Sequence, residues 1–258
     1  MSDMNEVNWL EQPVKSMYGL LEVNGLRFTL DHQHYEKKTD NDLILLCKTQ
    51  RLLNVYLDLF SRFPHKRVLE FGIFEGGSVL FCASLLKNLE KVVGVDLRPA
   101  SDDVAGIIKR HQLEDKITLH YSTPQDAPGL RETVLKDFNG QRPDIIIDDC
   151  SHLYGPTKTT FEMMFPLLAP GGLYIIEDWA WAHWPGYQNR GETFYDESAL
   201  SNLIFEIIAL RGTHQEWFED ITVKNVSMVV IQKGRIPVPE PFGISTLTMM
   251  RGKQLGFI

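Results

Sequence analysis

The sequence is poor in the features that define several large classes of protein. It has only three cysteines in 258 residues, at positions 47, 82 and 150, and none of them forms a CxxC pair. An odd and sparse set of this kind argues against a disulfide scaffold and favours a reducing compartment. No run reaches the roughly 20 apolar residues that a membrane span needs, and the N-terminus has no apolar signal core. We therefore expect a cytoplasmic protein without a membrane partner.

An excess of basic residues is also missing. The chain has 34 Asp and Glu against 26 Lys and Arg, which gives a formal net charge of −8. Proteins that bind nucleic acid need basic patches to contact the phosphates, so this balance argues against such a partner. The chain also has no internal repeat and no low-complexity tract. Its length and its 43% hydrophobic content fit one large α/β domain.

Short apolar runs alternate with helical segments from residue 67 onward. Regular alternation of this kind predicts an α/β fold with a doubly wound, mostly parallel, Rossmann-like sheet. Two further runs near the C-terminus predict an antiparallel closing hairpin. The predicted strands are 67–72, 91–96, 117–121, 145–147 and 173–176, and the hairpin strands are 217–223 and 227–232.

The segment before this core predicts a small N-terminal appendage. Asn24-Gly25 separates two apolar runs, 20–23 and 26–30, and favours a type I′ hairpin turn. Apolar residues at helical spacing predict a helix over 43–63, with caps at 39–42 and an end at Pro64. The predicted boundaries are 1–64 for the appendage, 65–235 for the core and 236–258 for a C-terminal arm. Such an arm can pack on a neighbouring subunit of a homo-oligomer, although tails are more often loosely ordered.

A glycine loop follows the first strand of the core. Residues 70–78 read EFGIFEGGS, which is not the G-x-G-x-x-G pattern of dinucleotide-binding proteins. A carboxylate at Glu70 is unfavourable beside a pyrophosphate and favourable beside an amino or sulfonium group. Asp96, at the end of the second strand, is placed to accept both hydroxyls of a ribose. The alternative is that Glu70 and Asp96 are merely polar strand ends.

Two later strands each end in two acidic residues. Asp148 and Asp149 follow one apolar run, and Glu177 and Asp178 follow the next, about thirty residues on. Parallel strands joined by a right-handed crossover end at the same edge of the sheet, so four carboxylates meet there with His152 nearby. Because like charges repel at short range, a divalent cation is the simplest way to neutralise the cluster. The alternative is that these acids only cap helices or face water.

The glycine loop together with Asp96 resembles the first two motifs of class I S-adenosylmethionine-dependent methyltransferases, over residues 65–235. The resemblance implies that the loop residues and Asp96 bind the cofactor, and that Gln125 and Asp126 lie where such enzymes bind adenine. The predicted cofactor residues are Glu70, Gly72, Gly76, Gly77, Ser78, Asp96, Gln125, Asp126 and Asp148.

The segment that contains both acidic strand ends is similar to one branch of that superfamily. The signature is IDDCSH over 147–152, followed by FPLLAPGGLYIIED over 165–178. The branch includes the metal-dependent sugar O-methyltransferases of macrolide biosynthesis, the rhamnosyl O-methyltransferases and proteins named cephalosporin hydroxylases. The resemblance implies Mg²⁺ ligands at Asp149, Glu177 and Asp178, and a general base at His152. Cys150 departs from the pattern, because glycine is usual there.

Chemical reasoning supports this assignment. A sugar hydroxyl is a poor nucleophile at pH 7, and a cation lowers the pKa of an oxygen bound to it. Carboxylate ligands suit Mg²⁺, with Mn²⁺ as a substitute. A neutral histidine can collect the proton, and alignment of the reacting groups supplies much of the rate. The leading hypothesis is thus a Mg²⁺-dependent O-methyltransferase that acts on a hydroxyl of a sugar or glycosylated natural product.

Two other readings of the sequence stay open. A catechol-type O-methyltransferase uses the same cation but needs two adjacent aromatic hydroxyls on its acceptor. A non-catalytic, cofactor-binding partner protein of the cephalosporin hydroxylase type keeps the fold without turnover. An aromatic loop over 179–187 fits a saccharide acceptor, because aromatic rings stack on sugar rings, but a packing role is the default. For His183, within that loop, a structural role is favoured over a catalytic one.

Overall fold

The computed structural model describes residues 3–252, except positions 16, 33, 35, 41, 193 and 226. The chain divides into two compact units, Met1–Pro124 and Gln125–Ile258. Of the predicted helix caps at 39–42, position 41 lies outside the described residues, as do positions 253–258 of the predicted C-terminal arm. The domain boundaries given above stay a prediction.

The first unit begins with a four-stranded sheet. Its strands β1, β2, β3 and β4 are neighbours in that order, with β1, β2 and β3 antiparallel and β4 parallel to β3. The predicted hairpin is confirmed as β2 and β3. Asn24 and Gly25 both have positive φ, at 48° and 81°, as a type I′ turn requires. The strands are Asn8–Val14, Tyr18–Val23, Leu26–Asp31 and Ile44–Leu46.

The prediction of one helix over 43–63 is wrong at its start. Ile44–Leu46 forms β4, and the helix α1 spans only Gln50–Arg62. The three consecutive residues of β4 are all buried. A helix with only one buried face would expose at least one of them, whereas a strand paired with β3 can bury all three. Thr49 caps α1, because its hydroxyl accepts a hydrogen bond from the Leu52 N–H at 3.2 Å. The helix ends before Pro64, as predicted.

The rest of the first unit has alternating strands and helices. Strand β5 pairs with β6 in parallel, and β6 pairs with β7 in parallel. The elements are β5 Arg67–Phe71, α2 Gly77–Leu85, β6 Lys91–Val95, α3 Asp102–Arg110 and β7 Ile117–His120.

The second unit continues the alternation and ends in the predicted hairpin. Strand β8 pairs with β9 in parallel, while β11 lies antiparallel between β9 and β10. The elements are α4 Leu130–Asp137, β8 Ile145–Asp148, α5 Tyr154–Met164, β9 Leu173–Glu177, α6 Ser201–Thr213, β10 Phe218–Asn225, β11 Met228–Lys233 and α7 Ile244–Leu247.

The predicted fold class is confirmed. Strands β5 to β11 form a seven-stranded, mostly parallel sheet with an antiparallel closing hairpin, and helices alternate with the parallel strands. Strands β5, β6, β8 and β9 are almost entirely buried and mostly apolar, as expected for strands covered on both faces, whereas only Ile117 of β7 is buried. Within the described part of the chain, no helix is both long and apolar enough to cross a membrane.

Gly77, the first residue of α2, lies so close to β4 that no side chain fits there. A Cβ atom on Gly77 would lie 2.0 Å from the Leu45 carbonyl oxygen and 2.9 Å from the Leu46 Cα. Both neighbours are backbone atoms, so rotation of a side chain cannot relieve the clash. We expect Gly77→Ala to lower the free energy of unfolding by about 3 kcal/mol or more, measured by chemical denaturation.

Gly212→Ala, near the end of α6, is the matched control. Nothing lies within 4 Å of a Cβ built at Gly212, so this variant should keep its stability or gain up to ~1 kcal/mol. The sequence assigned Gly77 to cofactor binding. A Gly77→Ala protein with wild-type stability and weakened S-adenosylhomocysteine binding would show that the cofactor alone requires this glycine.

Candidate functional site

In the first unit, the glycine loop joins β5 to α2 and has the backbone that its sequence demands. Gly72 and Gly76 adopt φ values of 84° and 76°, which residues with a Cβ rarely adopt. The Gly76 N–H donates to the Ile73 carbonyl at 2.7 Å, and Gly76 is the N-cap of α2. Ser78 is half-buried in the first turn of α2. This loop is the part of the first unit that the sequence assigned to the cofactor.

Asp96 follows β6 and holds this loop. Its Oδ2 accepts hydrogen bonds from the N–H groups of Ile73 and Phe74 at 2.8 and 2.9 Å, and its Oδ1 accepts from the Arg98 N–H at 2.8 Å. Asp96 is 6% exposed. A structural role at the loop is therefore observed for Asp96, and the ribose contact stays a prediction. Glu70, in β5, is fully buried.

Arg98 is a residue of this region that the sequence analysis did not single out. Its guanidinium lies 4.5 Å from the centroid of the Phe74 ring and donates to Glu75 Oε1 at 2.7 Å. Its other terminal nitrogen, Nη1, is buried without a hydrogen-bond partner among the described residues. Phe74 has a positive φ of 48°. Arg98 could have been noticed as a basic residue two positions after the acidic strand end.

In the second unit, three of the predicted site residues converge. Asp149, His152 and Asp178 each offer one ligand atom, and these atoms all lie within 4.8 Å of one another. All three side chains are half-buried. Asp149 follows β8, His152 precedes α5, and Asp178 follows β9. The ends of two neighbouring parallel strands therefore supply the group, as the sequence predicted.

The backbone is unusual at two of these positions. His152 and Asp178 have φ values of 55° and 51°, in the left-handed region that few residues other than glycine adopt. Such conformations concentrate at functional sites, where the surrounding structure maintains them. Cys150 does not have a positive φ. A residue other than glycine is thus tolerated at position 150, because the positive φ of this loop falls at His152.

Glu177 is not part of the converging group. It is the last residue of β9, 2% exposed, and it pairs with Met228 of β11. Successive strand residues point to opposite faces, so Glu177 and Asp178 can converge only if the chain turns between them. The chain does turn at Asp178, whose N–H donates to the Ser227 carbonyl at 2.7 Å. The structure therefore shows Asp149, Asp178 and His152 together, and a ligand role for Glu177 stays a prediction.

Asp148 and Gln125 belong to a buried polar network. Asp148 Oδ1 accepts from Gln125 Nε2 at 3.3 Å, and its Oδ2 accepts from the Tyr174 hydroxyl at 3.1 Å. Burial, together with the charge of Asp149, raises the pKa of Asp148 to about 7, against the lowering effect of these two hydrogen bonds. Asp126 is exposed. The sequence assigned Asp148, Gln125 and Asp126 to the cofactor, and their contacts to it stay a prediction.

The aromatic loop after Asp178 folds onto itself and onto His152. The Trp181 ring lies 4.6 Å from the His152 ring and stacks with Tyr187 at 5.7 Å. His183 places its Nε2 2.8 Å from the Ser201 hydroxyl oxygen, which gives it the structural contact favoured above. The contact of Trp181 with His152 was not predicted from the sequence. No local pattern could identify it, because it depends on how the loop folds.

A cavity of about 660 Å³ opens beside α5 and α6. Its polar floor is a cluster in which Lys158 Nζ donates to Glu206 at 2.6 Å, to Tyr154 at 3.0 Å and to Ser245 at 2.9 Å. The Tyr154 hydroxyl donates to the other Glu206 oxygen at 2.6 Å. All three donors of the Lys158 ammonium are engaged, so this cluster joins α5, α6 and the segment that carries α7.

The donor set of the converging group fits a divalent cation. Two carboxylates supply hard oxygen ligands, and an imidazole nitrogen lies within reach of the same point. Oxygen ligands suit Mg²⁺ and Mn²⁺, and an imidazole ligand shifts the preference toward Mn²⁺ and other transition metals. The group can therefore hold a metal through Asp149 and Asp178, with His152 either as a further ligand or as a base beside it.

Comparison with known proteins identifies the class. A methyltransferase domain family matches residues 69–179. This segment includes the glycine loop, Asp96 and the Asp149–Asp178 group. Together with the mostly parallel seven-stranded sheet, the match confirms the resemblance to S-adenosylmethionine-dependent methyltransferases over residues 69–179. The curated relatives to which the chain is similar include O-methyltransferases whose names specify rhamnosyl tetracenomycins as substrates.

Two curated relatives illustrate this branch. Demethylmacrocin O-methyltransferase of Streptomyces fradiae is 36% identical over 164 residues, which cover 60% of this chain and 37% of that protein. Mycinamicin VI 2''-O-methyltransferase of Micromonospora griseorubida is 47% identical over 133 residues, which cover 49% of this chain and 30% of that protein. The aligned part of the chain thus spans about a third of the length of these relatives.

A solved structure supports the fold. The MycE methyltransferase of the mycinamycin pathway, in complex with Mg and SAH, aligns with a TM-score of 0.52 and 22% identity. The alignment covers 73% of this chain and 49% of that one. At this level of identity the likeness concerns the fold alone.

Proposed function

We propose that this chain is a metal-dependent O-methyltransferase that moves a methyl group from S-adenosylmethionine to a hydroxyl of a sugar on a glycosylated natural product. The observation that carries the proposal is the convergence of Asp149, His152 and Asp178 within 4.8 Å. Methyl transfer by proximity alone does not require two half-buried carboxylates beside a histidine, whereas metal-assisted transfer does require ligands for the cation. The relatives named above, whose names specify O-methylation of demethylmacrocin and of mycinamicin VI, support the same chemistry.

The first unit supplies the cofactor residues in this proposal. Glu70 offers a negative charge toward a cationic ligand, and the glycine loop permits close approach of the backbone. Asp96 holds the loop through the N–H groups of Ile73 and Phe74, so the binding surface is formed before a ligand arrives. S-adenosylmethionine, when bound, supplies an electrophilic methyl group on a sulfonium.

The second unit supplies the residues that act on the acceptor. Asp149 and Asp178 would hold the cation, with Glu177 as the further ligand that the family resemblance implies. A divalent cation, when bound, lowers the pKa of a hydroxyl that contacts it. His152 accepts the proton that the acceptor hydroxyl loses, and a neutral imidazole has the basicity for that task at pH 7. Trp181, packed against His152 at 4.6 Å, restricts the orientation of the ring.

A transfer assay tests the proposal directly. The protein is incubated with S-adenosylmethionine carrying a labelled methyl group, Mg²⁺, and one of three acceptors: mycinamicin VI, methyl α-L-rhamnopyranoside or catechol. We expect label in a glycoside, located by mass spectrometry on its sugar. Label in catechol and in neither glycoside would contradict the saccharide acceptor and support the catechol-type alternative.

A further inference from the structure

The Gln125 side chain bridges three segments of the second unit. Its amide nitrogen donates to Asp148 Oδ1 at 3.3 Å and to the Thr160 hydroxyl oxygen at 3.0 Å. Its amide oxygen accepts from the Ser151 N–H at 3.2 Å. Gln125 is 4% exposed, and Asp148 and Thr160 are also buried. A single carboxamide therefore connects the end of β8, the loop after it and helix α5.

The two contacts with β8 and its loop bracket the Asp149 position. Asp148 precedes Asp149, and Ser151 precedes His152, so the amide holds the chain on both sides of residues 149–150. The loop also contains the strained positive φ of His152. A strained loop keeps its geometry only if surrounding groups determine it. Hydrogen bonds from a buried amide provide that restraint.

Helix α5 in turn fixes the Gln125 amide through Thr160. The Thr160 hydroxyl oxygen, which accepts from Nε2, lies 2.9 Å from the Pro156 carbonyl oxygen and 3.2 Å from the backbone carbonyl oxygen of Gln125, either of which can accept its proton. Both N–H groups of the carboxamide are engaged, by Asp148 and by Thr160, so neither is left to donate to a nucleobase. This arrangement disfavours the adenine contact that the family resemblance implies for Gln125.

We infer that Gln125 is a positioning residue, which holds the 148–152 loop so that Asp149 and His152 converge with Asp178. The inference rests on the proposed metal-dependent function and identifies what maintains its geometry. Residues that orient metal ligands without touching the metal commonly change its affinity by roughly 10–100-fold when they are replaced. Gln125 should belong to this class, although it lies 24 residues before Asp149 in the sequence.

The test compares metal and cofactor binding in the same variants. Gln125→Glu keeps the shape of the side chain but replaces the donors facing Asp148 with a carboxylate oxygen, and Gln125→Leu removes all three hydrogen bonds. Mn²⁺ binding is followed by electron paramagnetic resonance of the free ion, and S-adenosylhomocysteine binding by calorimetry. We expect Mn²⁺ affinity to fall roughly 10–100-fold in both variants, with S-adenosylhomocysteine affinity within about twofold of the wild-type value.

Helix α5 offers a matched pair of threonines for a second measurement. Thr160→Val removes the anchor of the amide and should lower Mn²⁺ affinity, while Thr159→Val, at the exposed neighbouring position, should not. If both Gln125 variants fail to fold by circular dichroism, unchanged Mn²⁺ affinity in Thr160→Val overturns the inference.

The other outcomes separate the inference from the proposed function. A Gln125 variant that loses S-adenosylhomocysteine affinity but binds Mn²⁺ like the wild type shows a cofactor contact and overturns the inference alone. Variants that bind both ligands normally also overturn it alone. A wild-type protein that binds no Mn²⁺ at this group overturns the metal-dependent function, and the inference with it.

Discussion

Removal of divalent cations with excess EDTA should abolish methyl transfer, and Mg²⁺ should restore it, with Mn²⁺ as a substitute. The physical reason is that Asp149 and Asp178 approach within 4.8 Å of each other and of His152. Two carboxylates at this distance repel each other unless a cation neutralises them. S-adenosylhomocysteine binding should survive chelation, because the glycine loop and Asp96 need no ion. A turnover assay with and without EDTA measures the loss of methyl transfer, and calorimetry under the same two conditions measures S-adenosylhomocysteine binding.

Asp149→Asn is the corresponding variant. It keeps the size of the side chain and removes one negative charge from the group, so Mn²⁺ affinity and kcat should fall together by at least about tenfold. Asp115→Asn, at an exposed position, is the control and should change neither quantity. Glu177→Gln decides whether the ligand set implied by the family resemblance includes this buried residue. Full activity in excess EDTA would rule out the metal mechanism and leave a plain histidine-assisted transfer.

Replacement of His152 by alanine should lower kcat by roughly 10²–10⁴-fold, the usual contribution of a general base. The reason is that the acceptor hydroxyl must lose its proton during transfer, and His152 is the basic nitrogen beside the two carboxylates. Affinity for S-adenosylhomocysteine should stay nearly unchanged, and so should Mn²⁺ affinity if the imidazole acts as a base. Single-turnover kinetics measures the change in the rate of methyl transfer, and binding titrations measure the affinities for S-adenosylhomocysteine and Mn²⁺.

His183→Ala is the matched control for this variant. His183 lies in the aromatic loop and contacts Ser201, so its removal should leave kcat within about twofold of the wild-type value. A His152→Ala protein that loses Mn²⁺ affinity and turnover in parallel would assign the imidazole to the metal. A His152→Ala protein with full turnover would show that solvent takes the proton.

Local chemistry made much of the fold predictable. Asn24-Gly25 specifies its hairpin because the type I′ turn needs positive φ at both positions. The parallel strands could be predicted because each is a short apolar run bounded by turn residues. Asp149 and Asp178 could be placed at one site because parallel strands end at a common edge. The branch signature over 147–152 and 165–178 added the proposed metal and base.

Other features could not be read from any local pattern. The run 44–46 became a strand because the edge of β3 was available for pairing, which overrode the helical spacing that continues into α1. The cofactor role of Gly77 stays a prediction, but no local pattern shows that its missing side chain makes room for the backbone of Leu45. Both outcomes depend on a segment that is distant along the chain.

The sequence by itself determined the class of fold, the order of its parallel strands along the chain, and the chemical types gathered at their acidic ends. Those properties follow from the period of apolar residues and from turn chemistry, which act over a few residues. Only the tertiary structure showed that His152 lies within 4.8 Å of Asp149 and Asp178, and that the Gln125 amide accepts a hydrogen bond from their loop. Such choices depend on distances of a few ångströms between groups from separate segments, and packing sets those distances.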